Sequence, residues 1–371
     1  MLIQNAKAFI DGKFQEKTDL LIRDGRISAI GTGLAAEGEE LLDLGGDLLL
    51  PGFVDVHIHA FKGMDTMQGE EAVRHMSREL KKVGVAAFLP TTMSASAEDT
   101  VRALAGVKAV MERPEPDGAI VLGAHMEAPF LAEAKAGAQL KQYFADPNEE
   151  NWQRYTCGLE SVVRPITMAP ERAGAMEFIS ALTKKGITVS IGHTTADAET
   201  THAAAEAGAT HVTHTFNAQT PLNHRAPGVP GAALVDDRLQ CEVISDGIHL
   251  HPDIVKLIIR TKGKEKLVAI TDAMEAAGMP DGQYQLGGQE VFVHEGAARL
   301  KDGTLAGSTL TMIRAFQNLI RFGATPEEAA LMTTKTPALS IGNEELGEIE
   351  LGAPAIFSRF DENYAFKGTV G

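Results

Sequence analysis

The sequence predicts an α/β protein, a TIM (β/α)8 barrel with a small β-sandwich domain built from both ends of the chain. Two observations support this fold class. From residue 51 onward, apolar strands alternate with helical stretches about eight times, as βα repeats do. Residues 1–50 and 342–371 instead contain short strands and turns. The chain has 371 residues, which is enough for one large domain and one small domain.

The two ends of the chain have the pattern of antiparallel strands. Residues 1–50 contain the runs AKAFIDGKF, DLLIRDGRISAIG and DLLLPG, whose DG and GG pairs favour tight hairpin turns. The segment ELGEIELGAPAIFSRF returns to short strands near the other end. Each end is too short to bury a core alone. We therefore expect residues 1–50 and 342–371 to pair into one β-sandwich domain beside a barrel formed by residues 51–341.

Eight apolar runs are the predicted barrel strands. They are Phe53–Ala60, Ala86–Met93, Ala119–Glu127, Val162–Met168, Ile187–His193, His211–Phe216, Cys241–His249 and Leu267–Asp272. The helical pattern predicts helices between and after them, at Glu70–Val83, Asp99–Glu112, Ala175–Lys185, Ala196–Ala207, Pro252–Thr261, Leu310–Phe322 and Pro326–Leu339. Residues 282–304 have the pattern of an inserted hairpin.

Composition excludes several classes of function. A net charge of −16, from 50 acidic and 34 basic residues, argues against binding to nucleic acid or to an anionic membrane. No run of about 18 apolar residues is present, and the first residues lack the pattern of a secretory signal. Cys157 and Cys241 are too few for a disulfide framework. The composition therefore predicts a cytoplasmic enzyme that acts on small molecules.

The run PGFVDVHIHA carries His57 and His59 at the end of the first barrel strand. Side chains alternate between the faces of a strand, so both imidazoles point the same way. Two adjacent imidazoles suit a divalent metal ion. Taken alone, the pair is equally well explained as core or mouth histidines with local hydrogen bonds.

Other polar residues fall at the carboxyl ends of predicted strands, where the active sites of TIM barrels lie. They are His125 and Glu127 in the third strand, His193 in the fifth, His214 in the sixth and Asp272 in the eighth. Imidazoles with a carboxylate suit zinc or a similar first-row ion. Such an ion lowers the pKa of a bound water and polarises a carbonyl. Asp272 is then either the general base and acid or a further ligand, and the sequence leaves both roles open.

A loop rich in proline and glycine follows the sixth strand and contains Arg225. A guanidinium matches the geometry of a phosphate group, so Arg225 is a candidate anion clamp, the alternative being a solvated loop arginine. His249, at the end of the seventh predicted strand, could assist. Backbone N–H groups near Asn217 could complete the pocket.

Together these segments resemble the N-acetylglucosamine-6-phosphate deacetylases of the amidohydrolase superfamily. The motifs PGFVDVHIHA, HMEAPF, KAGAQ, IGHTTA, THTFNAQTPLNHRAPG, ISDGIH, AITDAM and LAGSTLTM occur in the family's order. The resemblance implies a homodimer, a metal site at Glu127, His193 and His214, and a catalytic Asp272. It also implies substrate contacts at Ala138, Gln139, Asn217, Ala218, Arg225, His249, Leu305, Ala306 and Gly307. Arg225 would reach the phosphate bound by the neighbouring subunit.

The chain also departs from this family in informative ways. Ala128 replaces the usual glycine after the metal-binding Glu127, and Gln139 stands where some members have a histidine near the substrate carbonyl. His57 and His59 are replaced in some members that bind a single metal, so their presence here predicts one or two ions per subunit. Zinc is the expected ion, with iron, manganese and cobalt as alternatives. The fourth strand, VVRPITMAP, lacks the lysine that carboxylated-lysine sites require.

The resemblance implies hydrolysis of the acetamide of N-acetyl-D-glucosamine 6-phosphate to D-glucosamine 6-phosphate and acetate, in amino sugar catabolism. The same chemistry on N-acetylgalactosamine 6-phosphate is an alternative, because the two sugars differ in the configuration of one hydroxyl. A non-catalytic scaffold that binds a sugar phosphate is an alternative of another class.

Overall fold

The computed structural model describes residues 1–35 and 38–371. The amino-terminal segment forms five strands: β1 (Leu2–Ile10), β2 (Lys13–Arg23), β3 (Arg26–Gly31), β4 (Leu41–Asp43) and β5 (Leu48–Pro51). The turns after β1 and β2 are the Asp-Gly pairs 11–12 and 24–25, and all four of these residues have positive φ. This backbone geometry matches the twist of antiparallel strands, which is why such pairs predict hairpins.

Strands and helices then alternate through the middle of the chain. They are β6 (Phe53–Ile58), the small hairpin β7 (Ala60–Phe61) and β8 (Met64–Asp65), α1 (Glu70–Lys81), β9 (Val85–Thr92), α2 (Ala97–Glu112), β10 (Ile120–Val121), β11 (Ala124–Met126), α3 (Glu149–Thr156), β12 (Val163–Met168), α4 (Ala175–Lys184), β13 (Thr188–Ile191), α5 (Ala198–Ala207), β14 (His211–Val212), α6 (Gly228–Val235), β15 (Gln240–Ile244), α7 (Pro252–Lys266) and β16 (Leu267–Ile270).

The strands from β6 to β16, the small hairpin apart, form a parallel sheet of TIM type, with β10 and β11 sharing the third position. Its first and last strands approach each other where the His57 carbonyl accepts the N–H of Asp272 (2.8 Å) and the Ala273 carbonyl accepts the N–H of His59 (3.0 Å). These main-chain bonds, with the parallel bridge between Ile58 and Ala273, close the sheet into a barrel. The predicted α/β barrel is confirmed.

Apolar side chains fill the barrel strands almost completely, as expected of parallel strands that are covered on both faces. Every residue of β6, β9 and β16 is buried. Trp152 of α3 is fully buried against Phe178. Among the described residues, no helix combines the length and the apolar character that crossing a membrane requires.

The barrel strands lie at the predicted positions, but several end earlier. The third strand breaks at Gly123, where φ is 144° and the Arg164 side chain occupies the space that a Cβ would need. The sixth strand ends at Val212 rather than at 216. The seventh ends at Ile244 rather than at His249, because the Asp246 carboxylate accepts the N–H groups of Ile248 and His249 and forms a turn.

The remaining elements are the inserted strands β17 (Gly282–Leu286), β18 (Gln289–His294) and β19 (Ala297–Arg299), the helices α8 (Met312–Phe322), α9 (Pro326–Thr333) and α10 (Lys335–Ser340), and the strands β20 (Phe357–Phe360) and β21 (Phe366–Val370). The single helix predicted at 326–339 is therefore wrong. It breaks at Thr334 because Pro337 has no N–H and its ring clashes with the carbonyl four residues earlier. Helices α3 and α6 were not predicted.

The insertion forms a three-stranded antiparallel sheet, one strand more than the expected hairpin. Its buried residues Leu286, Val291 and Val293 form a cluster with Met93 and Met274. Met93 and Met274 follow the strands β9 and β16, so the inserted sheet packs beside the carboxyl rim of the barrel.

Strands from both ends of the chain share one seven-stranded sheet in the order β21-β20-β5-β1-β2-β3, with β4 beside β1. The link between the two ends is the antiparallel pairing of β20 with β5. The sheet attaches to the barrel through the Ser358 hydroxyl, which donates to the Gly84 carbonyl (3.0 Å), and the Thr369 hydroxyl, which donates to the Lys81 carbonyl (2.8 Å).

The attachment at Gly84 yields a prediction about stability. Gly84 has φ +83°, and a Cβ there would lie 2.3 Å from the Ser358 hydroxyl oxygen, whereas Gly158 has φ +84° and no atom within 4 Å of the same position. Gly158→Ala should lower the free energy of unfolding by about 1–2 kcal/mol through backbone strain alone. Gly84→Ala should lower it by about 1–3 kcal/mol more through overpacking. Urea denaturation measures both, and equal losses would contradict the tight contact.

Candidate active site

Polar side chains from five barrel strands meet at the carboxyl rim. They are His57 in β6, His59 just after it, Glu127 after β11, His193 after β13, His214 after β14 and Asp272 after β16. All are buried. The backbone of His193, His214 and Asp272 has φ of 47°, 29° and 49°, a region that residues with side chains rarely adopt. Such strain clusters at functional sites.

Glu127, His193 and His214 form the primary group. Glu127 Oε1 lies 3.2 Å from His193 Nε2 and 3.0 Å from His214 Nε2, and the two imidazole nitrogens are 3.1 Å apart. The Lys135 carbonyl lies 2.8 Å from His193 Nδ1 and accepts its proton, which leaves the Nε2 lone pair facing the group. Outer hydrogen bonds of this kind orient metal-ligating histidines.

His57, His59 and Asp272 form the second group, which shares Glu127 with the first. His59 Nε2 lies 3.2 Å from Glu127 Oε2 and 3.2 Å from Asp272 Oδ1. His57 Nε2 lies 3.6 Å from Glu127 Oε1 and 3.6 Å from Asp272 Oδ1. The predicted alternation of side chains along the strand thus holds for this pair, because both imidazoles face the same two carboxylates.

The donor atoms fit a divalent cation. His57 Nε2 is buried without a hydrogen-bond partner among the described residues, and it faces two carboxylates at distances that suit ligands placed around one ion. The primary group and the trio His57, His59 and Glu127 each bring three ligand atoms within 4.8 Å of one another. Neutral imidazole and carboxylate donors are those that zinc and other first-row ions accept.

The imidazoles and carboxylates of the two groups shift one another's pKa values towards the charged forms. Burial opposes the charged form of His57, but Asp272 and Glu127 outweigh it and raise its pKa to about 9. Burial likewise favours a protonated Asp272, yet His57 and His59 lower its pKa to about 2. The pKa of Glu127 also lies well below its usual value, because the nearby imidazoles, His57 first, outweigh burial. Both carboxylates are therefore ionised.

Glu242 supports the site and was not predicted. Its Oε2 lies 3.1 Å from His57 Nδ1 and accepts the backbone N–H of His214 (3.3 Å). It thus contacts one histidine of each group while being almost wholly buried itself. The signal was present in the sequence, since Glu242 is a single charged residue within the apolar run CEVI.

His125 was predicted to lie with Glu127 at the rim, but it does not join the ligand atoms of Glu127, His193 and His214. Its Nε2 lies 2.8 Å from the Thr167 hydroxyl, and its ring packs edge-on against the His57 ring with centroids 4.5 Å apart. Burial and the charge of His57 lower the pKa of His125 to about 3, so it is neutral. His125 also lies close to His57 and Glu242, and its contacts support the position of the His57 ring.

The site opens into a cavity of about 290 Å³. Most of the residues predicted to contact substrate line it, namely Ala138, Gln139, Asn217, Ala218, His249, Leu305 and Gly307. Lining residues that were not predicted are Met93, Ala134, Lys135, Gly137, Leu286 and Thr304. Ala306 is fully buried behind the lining, within the cluster that holds the inserted sheet.

The structure shows the neighbours of three residues that were predicted to contact the substrate. Gln139 Nε2 donates to Glu127 Oε2 (2.5 Å), and its Oε1 accepts the N–H of Ser94 (2.7 Å). The partly buried His249 has Nδ1 2.7 Å from Asp246 Oδ2, which orients its ring. Arg225 is exposed in the loop before α6 and does not line the cavity of its own subunit.

Comparisons with known proteins agree with this geometry. The model of the amidohydrolase family matches residues 48–368. An N-acetylglucosamine-6-phosphate deacetylase of Lysinibacillus sphaericus is 36% identical over 374 residues, covering 100% of this chain and 96% of that protein. An N-acetylgalactosamine-6-phosphate deacetylase of Escherichia coli O157:H7 is 36% identical over 343 residues, covering 91% of this chain and 88% of that protein.

A solved structure extends the similarity to three dimensions. It is a mutant N-acetyl-D-glucosamine-6-phosphate deacetylase of Mycobacterium smegmatis in complex with N-acetyl-D-glucosamine-6-phosphate, with a TM-score of 0.92 and 31% identity. The superposition covers 100% of this chain and 97% of that one. The chain therefore belongs to the amidohydrolase family and, within it, to the N-acetylglucosamine-6-phosphate deacetylases.

Proposed function

We propose that this protein hydrolyses the acetamide of N-acetyl-D-glucosamine 6-phosphate to D-glucosamine 6-phosphate and acetate. One observation carries the proposal. Asp272 lies beside two groups of ligand atoms that share Glu127, and all of them lie at the end of one cavity. A proton-transfer group beside a cation site is the arrangement that amide hydrolysis requires. The Mycobacterium relative binds this sugar phosphate in its solved complex.

The primary group, Glu127, His193 and His214, would hold a divalent ion, with zinc expected and iron, manganese or cobalt as alternatives. His57, His59 and Asp272 would hold a second ion with the shared Glu127. When bound, the ion polarises the acyl carbonyl and lowers the pKa of water at the site. An ion would take the place of the proton that the carboxylates favour on His57. The Lys135 carbonyl and Glu242 would then accept the Nδ1 protons of His193 and His57, respectively, which leaves each Nε2 as the ligand atom.

Asp272 carries the proton through the reaction. Its ionised carboxylate accepts a proton from the attacking water, whose oxygen forms a bond to the acyl carbon. The same carboxyl group then donates that proton to the amide nitrogen as the carbon–nitrogen bond breaks. The amine leaves with the sugar phosphate, and the acyl group leaves as acetate. Gln139 does not replace the missing histidine directly, because its amide already bonds Glu127 and Ser94.

The phosphate would bind at the polar side of the cavity, near Asn217 and His249. Arg225 is exposed in its own subunit, which fits a homodimer in which it reaches the phosphate of the neighbouring site. A guanidinium suits that task because it offers paired N–H donors.

We also propose that residues 1–50 and 342–371 form a separate β-sandwich domain, because Ile3, Leu20 and Phe357 belong to an apolar cluster distinct from that of the barrel.

The galacto-configured substrate is the second candidate, because the Escherichia coli relative that bears that name has the same 36% identity to this chain as the Lysinibacillus one, over a somewhat shorter match. Rates on both sugar phosphates, measured side by side, decide between them. A non-catalytic scaffold is disfavoured because a residue that can ligate a metal occupies each of the proposed ligand positions.

The free Cys157 and Cys241 are in keeping with a cytoplasmic location, which we also propose.

Replacing Asp272 tests the proposed chemistry. Asp272→Asn keeps the shape of the side chain but removes its basic oxygen, so kcat/KM for acetate release should fall by about 10²–10⁴-fold. The ion at the primary group should remain, as elemental analysis of the purified variant would show. Near-normal turnover in a variant that keeps its metal would contradict the role of Asp272.

Mixing two impaired variants, at a substrate concentration too low for either variant alone to show measurable turnover, tests the shared site. Arg225→Ala should raise KM for the phosphorylated sugar, because the phosphate loses a charged partner. Mixed dimers of Arg225→Ala with Asp272→Asn should regain activity, since one of their two sites then combines an intact Asp272 with the partner's intact arginine. Size-exclusion chromatography checks that mixed dimers form. If they form without regaining activity, Arg225 does not act across the interface.

Replacing Glu242 tests the second metal position. Glu242→Gln removes the negative charge beside His57 while keeping an acceptor oxygen, and it should weaken binding of the second ion by about 10–100-fold. The ion at the primary group should stay. Glu275→Gln is the matched control, because Glu275 is a half-buried carboxylate whose oxygen accepts the N–H of Gln285. Titration of the apo-protein with zinc and with cobalt measures both sites, and unchanged stoichiometry and affinity in Glu242→Gln would refute the assignment.

A further inference from the structure

A second cavity, of about 530 Å³, lies next to the site cavity. The two share a wall made of three short chain segments, 93–94, 139–140 and 286–287. Gln139 and Leu286 line the site cavity, whereas the residues that follow each of them line the second cavity. Met93 lines both cavities, so its side chain spans the wall.

Hydrogen bonds hold this wall together. The N–H of Ser94 donates to Gln139 Oε1 (2.7 Å), and the N–H of Leu140 donates to the Ser94 hydroxyl (2.5 Å). Gly287 has φ +56°, and a Cβ there would lie 3.3 Å from the terminal methyl group of Met93. The backbone therefore approaches the methionine closely, and the wall is one side chain thick at Met93.

Met93 lies beside the reacting centre. Gln139 Nε2 is 2.5 Å from Glu127 Oε2 and 3.5 Å from Met93 Sδ. The carbonyl to be attacked must lie between the primary group and Asp272, and the sugar phosphate must face the polar residues Asn217 and His249. The acyl methyl group then faces the apolar side of the cavity, which Met93 and Leu286 form.

We propose that Met93 limits the length of the acyl group that the enzyme removes. The inference rests on the proposed function, because it takes the acyl end of an N-acylated sugar phosphate as its subject. An acetyl group ends before the wall, whereas a longer chain meets the Met93 side chain. The space that a longer chain needs lies directly behind that residue. Met93 is thus a specificity residue, and shortening it joins the two cavities.

The test uses N-acetyl, N-propanoyl and N-butanoyl glucosamine 6-phosphate as substrates. The wild-type protein should lose activity as the chain lengthens. Met93→Ala should raise the ratio of kcat/KM for butanoyl over acetyl by at least about tenfold, since one methylene in a fitted pocket is worth about 10–200-fold. Met93→Val, which removes less volume, should raise the ratio less.

Two variants serve as controls. Met93→Leu keeps a long apolar side chain and should keep the wild-type preference. Tyr143→Ala shortens a side chain that lines the second cavity and not the site cavity, so it should leave the ratio unchanged. Thermal denaturation and metal content confirm that each variant is folded and loaded.

Two outcomes would overturn the inference: an unchanged ratio in the folded Met93→Ala and Met93→Val variants, or a wild-type protein that removes butanoyl as fast as acetyl. Failure of the proposed function would look different, because the wild-type protein would then release no acetate at all. In that case calorimetric binding of the same three compounds tests the wall, with Met93→Ala expected to gain affinity for the butanoyl compound alone.

Discussion

The main-chain hydrogen bonds between the first and last barrel strands are the constraint on which the site depends. They join His57 to Asp272 and His59 to Ala273, so the residues that close the barrel also carry the ligand and proton-transfer side chains. Asp55 reinforces this seam, since its carboxylate accepts the hydroxyl (2.6 Å) and the N–H (3.3 Å) of Thr271. An error in barrel closure would therefore separate His57 and His59 from Asp272.

Buried charge is the second constraint. Glu127 serves both groups, and Glu242 links His57 to the backbone of His214, so the carboxylates and imidazoles form one network within the barrel. Removing one charge from such a network leaves another unpaired and buried, which is costly. The network therefore holds its members in place before any ion or substrate arrives.

Much of the barrel and of its rim could be predicted because strand periodicity places His57 and His59 on one face and because parallel strands end at one rim. The ends of the strands were harder to predict, because side chains outside the periodic pattern determine where each strand stops. Asp246 ends the seventh strand by accepting backbone N–H groups, and Gly123 interrupts the third. Glu242 was missed because its role depends on which strand faces His57, and only the folded barrel brings them together.

The pairing of β20 with β5 has a consequence for the order of folding. During synthesis β5 leaves the ribosome before any barrel strand, while β20 leaves after all of them. The edge of β5 that β20 later covers stays unpaired throughout, and unpaired strand edges are prone to aggregation. Strand pairing between such distant segments is slow. The seven-stranded sheet can therefore be completed only after the whole barrel has been synthesised.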